Sequence, residues 1–479
     1  MDPANKIYIG AIAAFSMFNM PSSLQAEKPK HNIIFILVDD LGKEWINCYG
    51  AEGVKTPNID KLAATGMKFN NAYSMPQCTP SRVCFMTGQY PYHNGWVNHW
   101  DVPRWGVGYF DWKRNPSIGR TMQRAGYKTG VAGKWQLNDF RIQPDAMLKH
   151  GFDDYCMWTG YEAGNPASKN RYWDPYIHTR EGSKTYKGKF GPDIYSRFVL
   201  DFIKKNRDNP FFLYYPMTLT HAPFVNTPHD MNVTDKLERF KAMIRYTDFL
   251  LGKVVKQVDD LGIRKNTIII WTTDNGTSKS FSNILNGRVV KGGKTLTTEN
   301  GVNAPFIVNC PGIVPEGTTS DALLDFTDML PTFANFAGVS PDPEYKYDGV
   351  SLKDVFLGKS KNSKRKWIMA MGSKAGKASD KGIENVYYFR DRVIREARYK
   401  LFVGIDRKPK KLVDVIKDPE EKNNLIGNPE YKEILARLTA VIDTLPKKDN
   451  DPNYEHLPKN PWDKKAKVKS QKHKIGYPN

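Results

Sequence analysis

Two long apolar runs, one near the start of the chain and one past its middle, constrain the fold more than any other feature. They cover Asn32–Val38 and Thr267–Thr273, and both are rich in β-branched residues. Unbroken runs of this kind are typical of strands covered on both faces, as in a parallel sheet. The residues that follow the two runs carry oxygen-bearing side chains: Asp39, Asp40, Asp274 and Asn275. Because ligands of such sheets bind beyond the carboxyl ends of the strands, we expect both polar pairs to converge on one site.

Further strand and helix patterns alternate between these two runs. Strands are predicted at residues 128–132, 211–216 and 304–308, and helices at residues 60–65, 194–205 and 237–261. This alternation favours an α/β fold with a large, mostly parallel sheet flanked by helices.

The composition changes near a basic, turn-like stretch at residues 362–366. Beyond it, strands are predicted at residues 367–371, 386–390 and 399–403, and a helix at residues 429–445. We therefore predict a main domain over residues 27–365 and a small subdomain over residues 366–445, built from an antiparallel sheet plus a helix. The tail at residues 446–479 is basic and poor in apolar residues, so we expect it to lack a core of its own.

The N-terminal residues 1–26 have the pattern of a secretory signal peptide. Lys6 supplies a weakly positive start, residues 7–20 are apolar, and Ala26 ends a stretch suited to cleavage. The alternative is a membrane anchor, for which the apolar run is short, and no other segment suits a bilayer span. We expect export to a periplasm or to the medium, without stable membrane insertion.

The formal net charge of +20 over 479 residues favours an acidic partner. Nucleic acid, an anionic membrane surface and a polyanionic substrate would all fit this charge. No helix-turn-helix, zinc-finger or RNA-binding signature is present, so we expect no nucleic-acid partner. The five cysteines lack metal-ligand spacing, and they fit either one or two disulfides or buried free thiols.

Residues 78–82, Cys-Thr-Pro-Ser-Arg, lie where a loop is predicted to become a helix. Thr79 can cap that helix, Pro80 suits its first position, and Gly88 can end it. Cys78 would then lie at a helix N-terminus, where backbone N–H groups and the helix dipole favour negative charge. The alternative is an ordinary cysteine at a capped helix start.

The four polar side chains after the apolar runs are hard oxygen ligands. Such a set suits Ca²⁺ or Mg²⁺ far better than a soft transition metal. Taken one at a time, acids at strand ends could instead be helix caps.

Residues 78–82 resemble the Cys-x-Pro-x-Arg signature of the type I, formylglycine-dependent sulfatases, which have an alkaline-phosphatase-like fold. Other segments resemble elements of the same family: residues 56–63, residues 87–91 with Gly95, residues 133–135, His221-Ala222-Pro223, Lys294 with Glu299, residues 328–332, residues 348–352 and residues 412–425. The resemblance thus runs from about residue 31 to about residue 425, and it is specific because many local signals agree.

The resemblance implies that a maturation enzyme converts Cys78 to formylglycine, an aldehyde whose hydrate attacks the sulfur of a sulfate ester. It implies a divalent cation, usually calcium, bound together with an oxygen of the modified residue. The cation ligands would be Asp39, Asp40, Cys78, Asp274 and Asn275. Arg82 and Lys134 would hold the nucleophile, while His221 and Lys294 would contact sulfate, and either of these two could protonate the leaving alcohol. Loss of a proton from the second hydroxyl would then release sulfate and restore the aldehyde.

One position departs from the family pattern, because Gln136 stands where the family has the histidine that deprotonates the second hydroxyl. Glutamine can form a hydrogen bond to that group but cannot accept its proton. Another base could act, the subfamily could turn over differently, or the enzyme could be slow or inactive. We favour another base, and His93 and His99 are rival candidates.

Two segments rich in aromatic and cationic residues are predicted to contact a glycan. The first spans residues 96–114 and includes the predicted substrate-binding residues His99, Trp100 and Arg104, to which Gln136 is added. The second comprises Tyr161, Arg171, Tyr172, Trp173, Tyr176 and Arg180. Aromatic faces can stack on sugars and arginine can bind sulfate or carboxylate in a bidentate manner, although core aromatics with solvated charges would give the same pattern. We expect a sulfated polysaccharide or oligosaccharide; a phosphate or phosphonate ester hydrolase and an inactive polyanion binder are the alternatives.

Overall fold

The computed structural model describes residues 30–97, 110–162, 164–374, 377–379, 382–384 and 389–449. The predicted signal peptide and most of the predicted tail therefore lie outside the described residues. The strands are β1 (Asn32–Val38), β2 (Met67–Phe69), β3 (Ala72–Tyr73), β4 (Lys128–Lys134), β5 (Asp154–Trp158), β6 (Tyr176–Thr179), β7 (Gly182–Thr185), β8 (Phe211–Pro216), β9 (Thr267–Thr273), β10 (Ser282–Leu285), β11 (Arg288–Lys291), β12 (Phe306–Asn309), β13 (Thr318–Ser320), β14 (Leu324–Asp325), β15 (Ile368–Met371), β16 (Lys377–Ser379), β17 (Gly382–Glu384), β18 (Arg392–Arg395), β19 (Tyr399–Val403) and β20 (Pro409–Asp414).

Helices cover both faces of the main sheet. They are α1 (Pro57–Ala64), α2 (Cys78–Thr87), α3 (Pro91–Asn94), α4 (Ile118–Arg124), α5 (Ala146–Lys149), α6 (Gly191–Lys205), α7 (Lys236–Asp260), α8 (Glu299–Val302), α9 (Met329–Phe336), α10 (Lys353–Phe356) and α11 (Lys432–Thr444). Short 3₁₀ helices lie at Lys43–Trp45, Asn47–Tyr49, Pro166–Lys169, Arg264–Asn266, Phe326–Asp328 and Pro429–Tyr431. No helix in the described part of the chain is both long enough and apolar enough to cross a bilayer.

The main sheet has ten strands among the described residues, in the order β13-β2-β12-β9-β1-β8-β4-β5-β6-β7. Its five central strands, β9 to β5 in that order, are parallel to one another. Antiparallel pairings join β12 to β9 and to β2 on one side, and β6 to β5 and to β7 on the other. The prediction of a large α/β sheet flanked by helices is confirmed, with a parallel centre inside a mixed sheet.

Strand β1 shows why apolar and polar residues do not alternate in the first run after Asn32. All seven of its residues are buried. Ile33, Phe35 and Leu37 belong to the hydrophobic core on one face of the sheet, while Ile34 and Ile36 belong to the core on the other. Successive side chains of a strand point to opposite faces, so a central strand with helices on both sides is apolar throughout.

The C-terminal region forms the predicted antiparallel sheet, in the order β15-β18-β19-β20, with α11 packed beside it. The strand predicted at residues 386–390 is wrong in its described part. Residues 386–388 lie outside the described residues, while Phe389 and Arg390 precede the observed strand β18. The domain boundary at residue 365 stays a prediction. The five cysteines are free thiols: Cys48, Cys78, Cys84, Cys156 and Cys310.

Candidate active site

The two polar pairs that follow the apolar runs meet because β1 and β9 are parallel neighbours. Val38 lies opposite Thr273, so both chains leave the sheet side by side. The backbone N–H of Asp40 donates to Asp274 Oδ1 at 3.1 Å, and Asn275 Nδ2 donates to Asp40 Oδ1 at 2.9 Å. The predicted convergence of the strand ends is thus present as a buried cluster of oxygen-bearing side chains.

Cys78 lies at the start of helix α2, which begins earlier than predicted. Gln77 occupies the N-cap position and Cys78 is the first helical residue, so Thr79 is not the cap and Pro80 is the third residue of the helix. Pro80 is tolerated there because the first four N–H groups of a helix have no partner within it. The predicted end is confirmed, since Gly88 adopts a left-handed conformation with φ of 68°.

The cysteine and the carboxylates form a group that could hold a metal ion. Ligand atoms of Asp39, Cys78 and Asp274 lie within 4.8 Å of one another, as do those of Asp39, Asp40 and His221. Among the described residues, Asp39 Oδ1 and Asn275 Oδ1 are buried and accept no hydrogen bond. Buried oxygens without donors fit a cation, and carboxylate and amide oxygens are the ligands that Ca²⁺ and Mg²⁺ prefer.

Arg82 and Lys134 form ion pairs with two aspartates of this cluster. Arg82 donates to Asp274 Oδ2 from Nε at 3.0 Å and from Nη2 at 2.6 Å. Lys134, at the end of β4, donates from Nζ to Asp39 Oδ2 at 2.7 Å. Both cations are almost wholly buried, so their charges are unscreened by water.

Lys294 and His221 complete the site near Asp40. Lys294 follows β11 and donates from Nζ to Asp40 Oδ2 at 2.6 Å. His221 follows β8, and its Nε2 lies 3.6 Å from the same oxygen. The structure therefore brings every predicted catalytic and metal-binding residue into one cluster.

The charges of the cluster set the pKa of each carboxyl group. Burial alone would raise the pKa of Asp39, but Lys134, His221 and Arg82 together hold it well below its usual range. Asp40 behaves in the same way, with burial outweighed chiefly by Lys294. Burial, and then the like charge of Asp39, raises the pKa of Asp274 to about 7. Converging carboxylates favour a bound cation because it removes their mutual repulsion.

The two candidate proton donors differ in charge state. Burial and the neighbouring Lys294 lower the pKa of His221 to about 3, so its imidazole is neutral near pH 7. Burial would lower the pKa of Lys294, but Asp40 outweighs it and raises that pKa. The lowered lysine pKa that a proton donor would need is therefore absent.

The remaining predicted site residues fall in different places. Gln136 is buried two residues beyond Lys134, with a positive φ of 60°. His93 follows the C-terminal end of α2, where its Nδ1 lies 2.8 Å from Asp348 Oδ2, so it is held at the end of the helix opposite Cys78. The predicted substrate-binding residues His99, Trp100 and Arg104 lie outside the described residues.

Sequence reasoning did not find how His221 is held. The hydroxyl of Tyr172 lies 2.7 Å from the carbonyl oxygen of Thr218 and 2.5 Å from that of His221. His221 Nδ1 lies 2.7 Å from the carbonyl oxygen of Ala222, and Arg171 Nη1 lies 3.3 Å from the same nitrogen. The aromatic and cationic cluster around residue 171 was the available signal, but nothing in its spacing indicated a contact with residue 221.

An α/β sheet with these residues at the carboxyl ends of its central strands defines a protein of the alkaline-phosphatase-like superfamily. The chain belongs to the sulfatase family: the Sulfatase profile matches residues 31–339, and the profile described as N-sulphoglucosamine sulphohydrolase, C-terminal, matches residues 293–448. The predicted family is thus confirmed.

Individual relatives agree with this assignment. The N-acetylgalactosamine-6-sulfatase of Canis lupus familiaris is 32% identical over 359 residues, 68% of this chain and 66% of the relative. The match therefore spans slightly less than two thirds of that protein. The ulvan-active sulfatase of Formosa agariphila is 26% identical over 448 residues, 87% of this chain and 81% of that protein. The crystal structure of Ps i-CgsB superposes with a TM-score of 0.74 at 25% identity, covering 89% of this chain and 95% of that one.

Proposed function

We propose that this protein is an exported sulfatase that removes sulfate from a sulfated polysaccharide or oligosaccharide. The observation that carries the proposal is the meeting of Cys78 with Asp39 and Asp274, inside a group of buried cationic side chains. The family match supports sulfate ester hydrolysis. The names of the relatives, one with a sulfated amino sugar and one with ulvan, support a carbohydrate substrate.

The residues fit a divalent cation, and we assign Ca²⁺, with Mg²⁺ as the alternative. Asp39, Asp40, Asp274 and Asn275 would hold it together with position 78. When bound there, the cation would supply a positive charge that withdraws electron density from the sulfate oxygens, and formylglycine at position 78, made by a maturation enzyme, would supply the attacking hydroxyl. Position 78 also lies in the first turn of α2, and the backbone N–H groups of that turn favour an anionic substrate.

The side chains around position 78 would bind and orient the sulfate. The Nζ groups of Lys134 and Lys294 lie close to the nucleophile and can donate to sulfate oxygens. Arg82 fixes the orientation of Asp274 through its paired hydrogen bonds. We assign proton donation to the leaving alcohol to His221, because a sulfate placed beside its imidazole raises its pKa.

The modification is tested on the tryptic peptide of residues 69–82, from protein made in a host with the maturation enzyme. We expect mass spectrometry to show an aldehyde at position 78. A peptide with only a thiol there would contradict the proposed nucleophile. Sequencing the N-terminus of exported protein tests cleavage after Ala26.

The reaction is tested by measuring sulfate released from a panel of sulfated glycans, with the Cys78→Ala variant as control. We expect release by the wild type and none by the variant. Glycan binding without release would favour the inactive binder, for which Gln136 is the sequence argument. Faster hydrolysis of phosphate or phosphonate esters would favour the other alternative.

A further inference from the structure

The guanidinium of Arg171 lies at the edge of the candidate site, and none of the described carboxylates pairs with it. Among the described residues its polar contact is the 3.3 Å approach of Nη1 to His221 Nδ1. Its Nε is buried and donates no hydrogen bond to any residue that the structure describes. The neighbouring cations Arg82, Lys134 and Lys294 each pair with an aspartate, so Arg171 differs from them.

Arg171 is nevertheless held firmly. Its guanidinium carbon lies 3.9 Å from the ring centroid of Trp158, an arrangement in which the planar cation stacks on the indole. Trp158 is 1% exposed, and its Nε1 donates to the carbonyl oxygen of Ser168 at 2.9 Å. A fixed aromatic platform therefore orders the cation before any ligand arrives, which reduces the entropy lost on binding.

The same edge of the sheet carries Arg171 and the catalytic cluster. Trp158 ends β5 and lies opposite Lys134, the last residue of the neighbouring parallel strand β4. His221 lies beyond the end of β8, on the other side of β4. A substrate whose sulfate contacts His221 would thus place its sugar ring within reach of Arg171.

A half-buried guanidinium without a counter-charge is costly, and an anion supplied by a ligand would remove that cost. Arginine is suited to this because its fork of N–H groups matches carboxylate and sulfate oxygens. We propose that Arg171 is a specificity-determining residue that binds a second anionic group, a further sulfate on the sugar that carries the scissile sulfate or a carboxylate on the sugar joined to it. This inference rests on the proposed sulfatase function.

The test compares matched substrates that differ in one anionic group. One set is N-acetylgalactosamine 6-sulfate, its 4,6-disulfate and a disaccharide in which a hexuronate adjoins the 6-sulfated sugar; equivalent sets are built on galactose and glucosamine. We expect the wild type to have a higher kcat/KM for the doubly anionic members of the set that it cleaves. In Arg171→Ala that advantage should shrink by about 10- to 100-fold, mainly through KM, as expected for loss of a hydrogen bond to a charged group.

Two further variants distinguish binding of the second anionic group by Arg171 from positioning of His221 by Arg171. Arg171→Lys keeps the charge but loses the planar stack, so an intermediate advantage is expected. Arg197→Ala, on the exposed side of α6, should leave the advantage unchanged. The disulfate and hexuronate members show whether the second group is a sulfate or a carboxylate.

The outcomes distinguish this inference from the proposed function. If the wild type releases sulfate but Arg171→Ala lowers kcat/KM equally for singly and doubly anionic substrates, Arg171 only positions His221 and the inference is overturned. A wild type that prefers the singly anionic member overturns it as well. If the wild type releases sulfate neither from these sets nor from the wider panel of sulfated glycans, the proposed function itself fails.

Discussion

Arg82 and Lys294 both pair with aspartates of the candidate site, but their side chains differ in exposure to water. Arg82 is 1% exposed, whereas the side chain of Lys294 is 20% exposed. We expect Lys294→Ala to lower kcat/KM for sulfate release by about 100-fold or more, because a cationic donor to the sulfate oxygens is lost. We expect little change in Tm, because water can enter the partly exposed space and hydrate Asp40 Oδ2. Arg82→Ala should lose activity and also about 3–5 kcal/mol of stability, because it leaves Asp274 buried without its partner.

Assays of sulfate release and thermal unfolding of the two variants check this prediction. Lys256→Ala, which removes an exposed ion pair with Asp260, serves as control and should change neither quantity. Equal losses of Tm in the Lys294 and Arg82 variants would contradict the distinction.

Asp274 gives the cation site a pH dependence. Burial and Asp39 raise its pKa to about 7, and a carboxyl group must lose its proton to bind a cation. Below about pH 7, binding therefore releases a proton, and the affinity for Ca²⁺ should fall by up to about tenfold per pH unit. Calorimetric titration of metal-stripped protein with Ca²⁺ at about pH 8 and about pH 6 measures this change in affinity. A constant affinity across that range would show that Asp274 is already ionised.

His150 makes the fold sensitive to acid. Its Nε2 lies 3.1 Å from the carbonyl oxygen of Phe110, and burial lowers its pKa from 6.5 to about 3. The unfolded chain therefore binds a proton that the folded chain does not, so stability is full above about pH 6.5 and falls as the pH drops towards 3. The slope is up to about 1.4 kcal/mol per pH unit. Denaturant titrations at several pH values should show a smaller slope for His150→Gln.

At the level of strands, Gly133 shows how closely backbones pack beside the site. Its φ is 121°, and a Cβ there would lie 1.9 Å from the carbonyl oxygen of Pro216 in β8. We expect Gly133→Ala to separate β4 from β8, lower Tm strongly and displace Lys134 from Asp39. The control is Gly182→Ala, where φ is 101° but no atom lies within 4 Å of the added Cβ, so only about 1 kcal/mol of backbone strain is expected. Similar losses of Tm in both variants would contradict the role of the close approach.

Continuous apolar runs predicted the central strands well. β1, β8 and β9 were predicted with the observed bounds, because a run covered on both faces leaves little choice of start and end. Strand direction could not be predicted in the same way, because a run of apolar residues does not show that β12 is antiparallel to β9. β18 was misplaced because its buried arginines look like surface residues until the distant Glu299 that pairs with Arg395 is known.

The site was predictable to the extent that it follows strand ends or known motifs. Asp39 and Asp274 follow from the apolar runs alone, whereas Lys134 and Cys78 needed the resemblance to a family. Arg171 was predicted to contact a glycan, but its place beside His221 was not, because that contact depends on how the segment between β5 and β6 returns across the carboxyl edge.

On the scale of the whole molecule, the C-terminal sheet and the main sheet share one hydrophobic core. Met369, Ile394 and Leu401 of the C-terminal strands belong to the same cluster as Phe35 and Phe85. Residues in one contiguous core unfold together, so we expect a single thermal transition rather than two.

A buried ion-pair network adds to this connection. Lys400 of β19 is fully buried, and its Nζ lies 3.1 Å from Glu299 Oε1 and 2.7 Å from Glu421 Oε1. Lys400→Met should cost about 3–5 kcal/mol, because two buried carboxylates lose their shared cation. Calorimetry of this variant, compared with Lys422→Met at an exposed pair, measures the effect. A stability loss no larger than that of the control would mean that Arg395 alone satisfies Glu299.

The burial of helix α2 also bears on whether Cys78 would be modified before or after the chain folds. Every residue of that helix is buried, and Cys78 is 4% exposed. An enzyme that modifies Cys78 would have to reach its side chain, which the finished fold does not offer. We therefore expect the modification proposed for Cys78 to precede folding, and a molecule that folds first to keep its thiol.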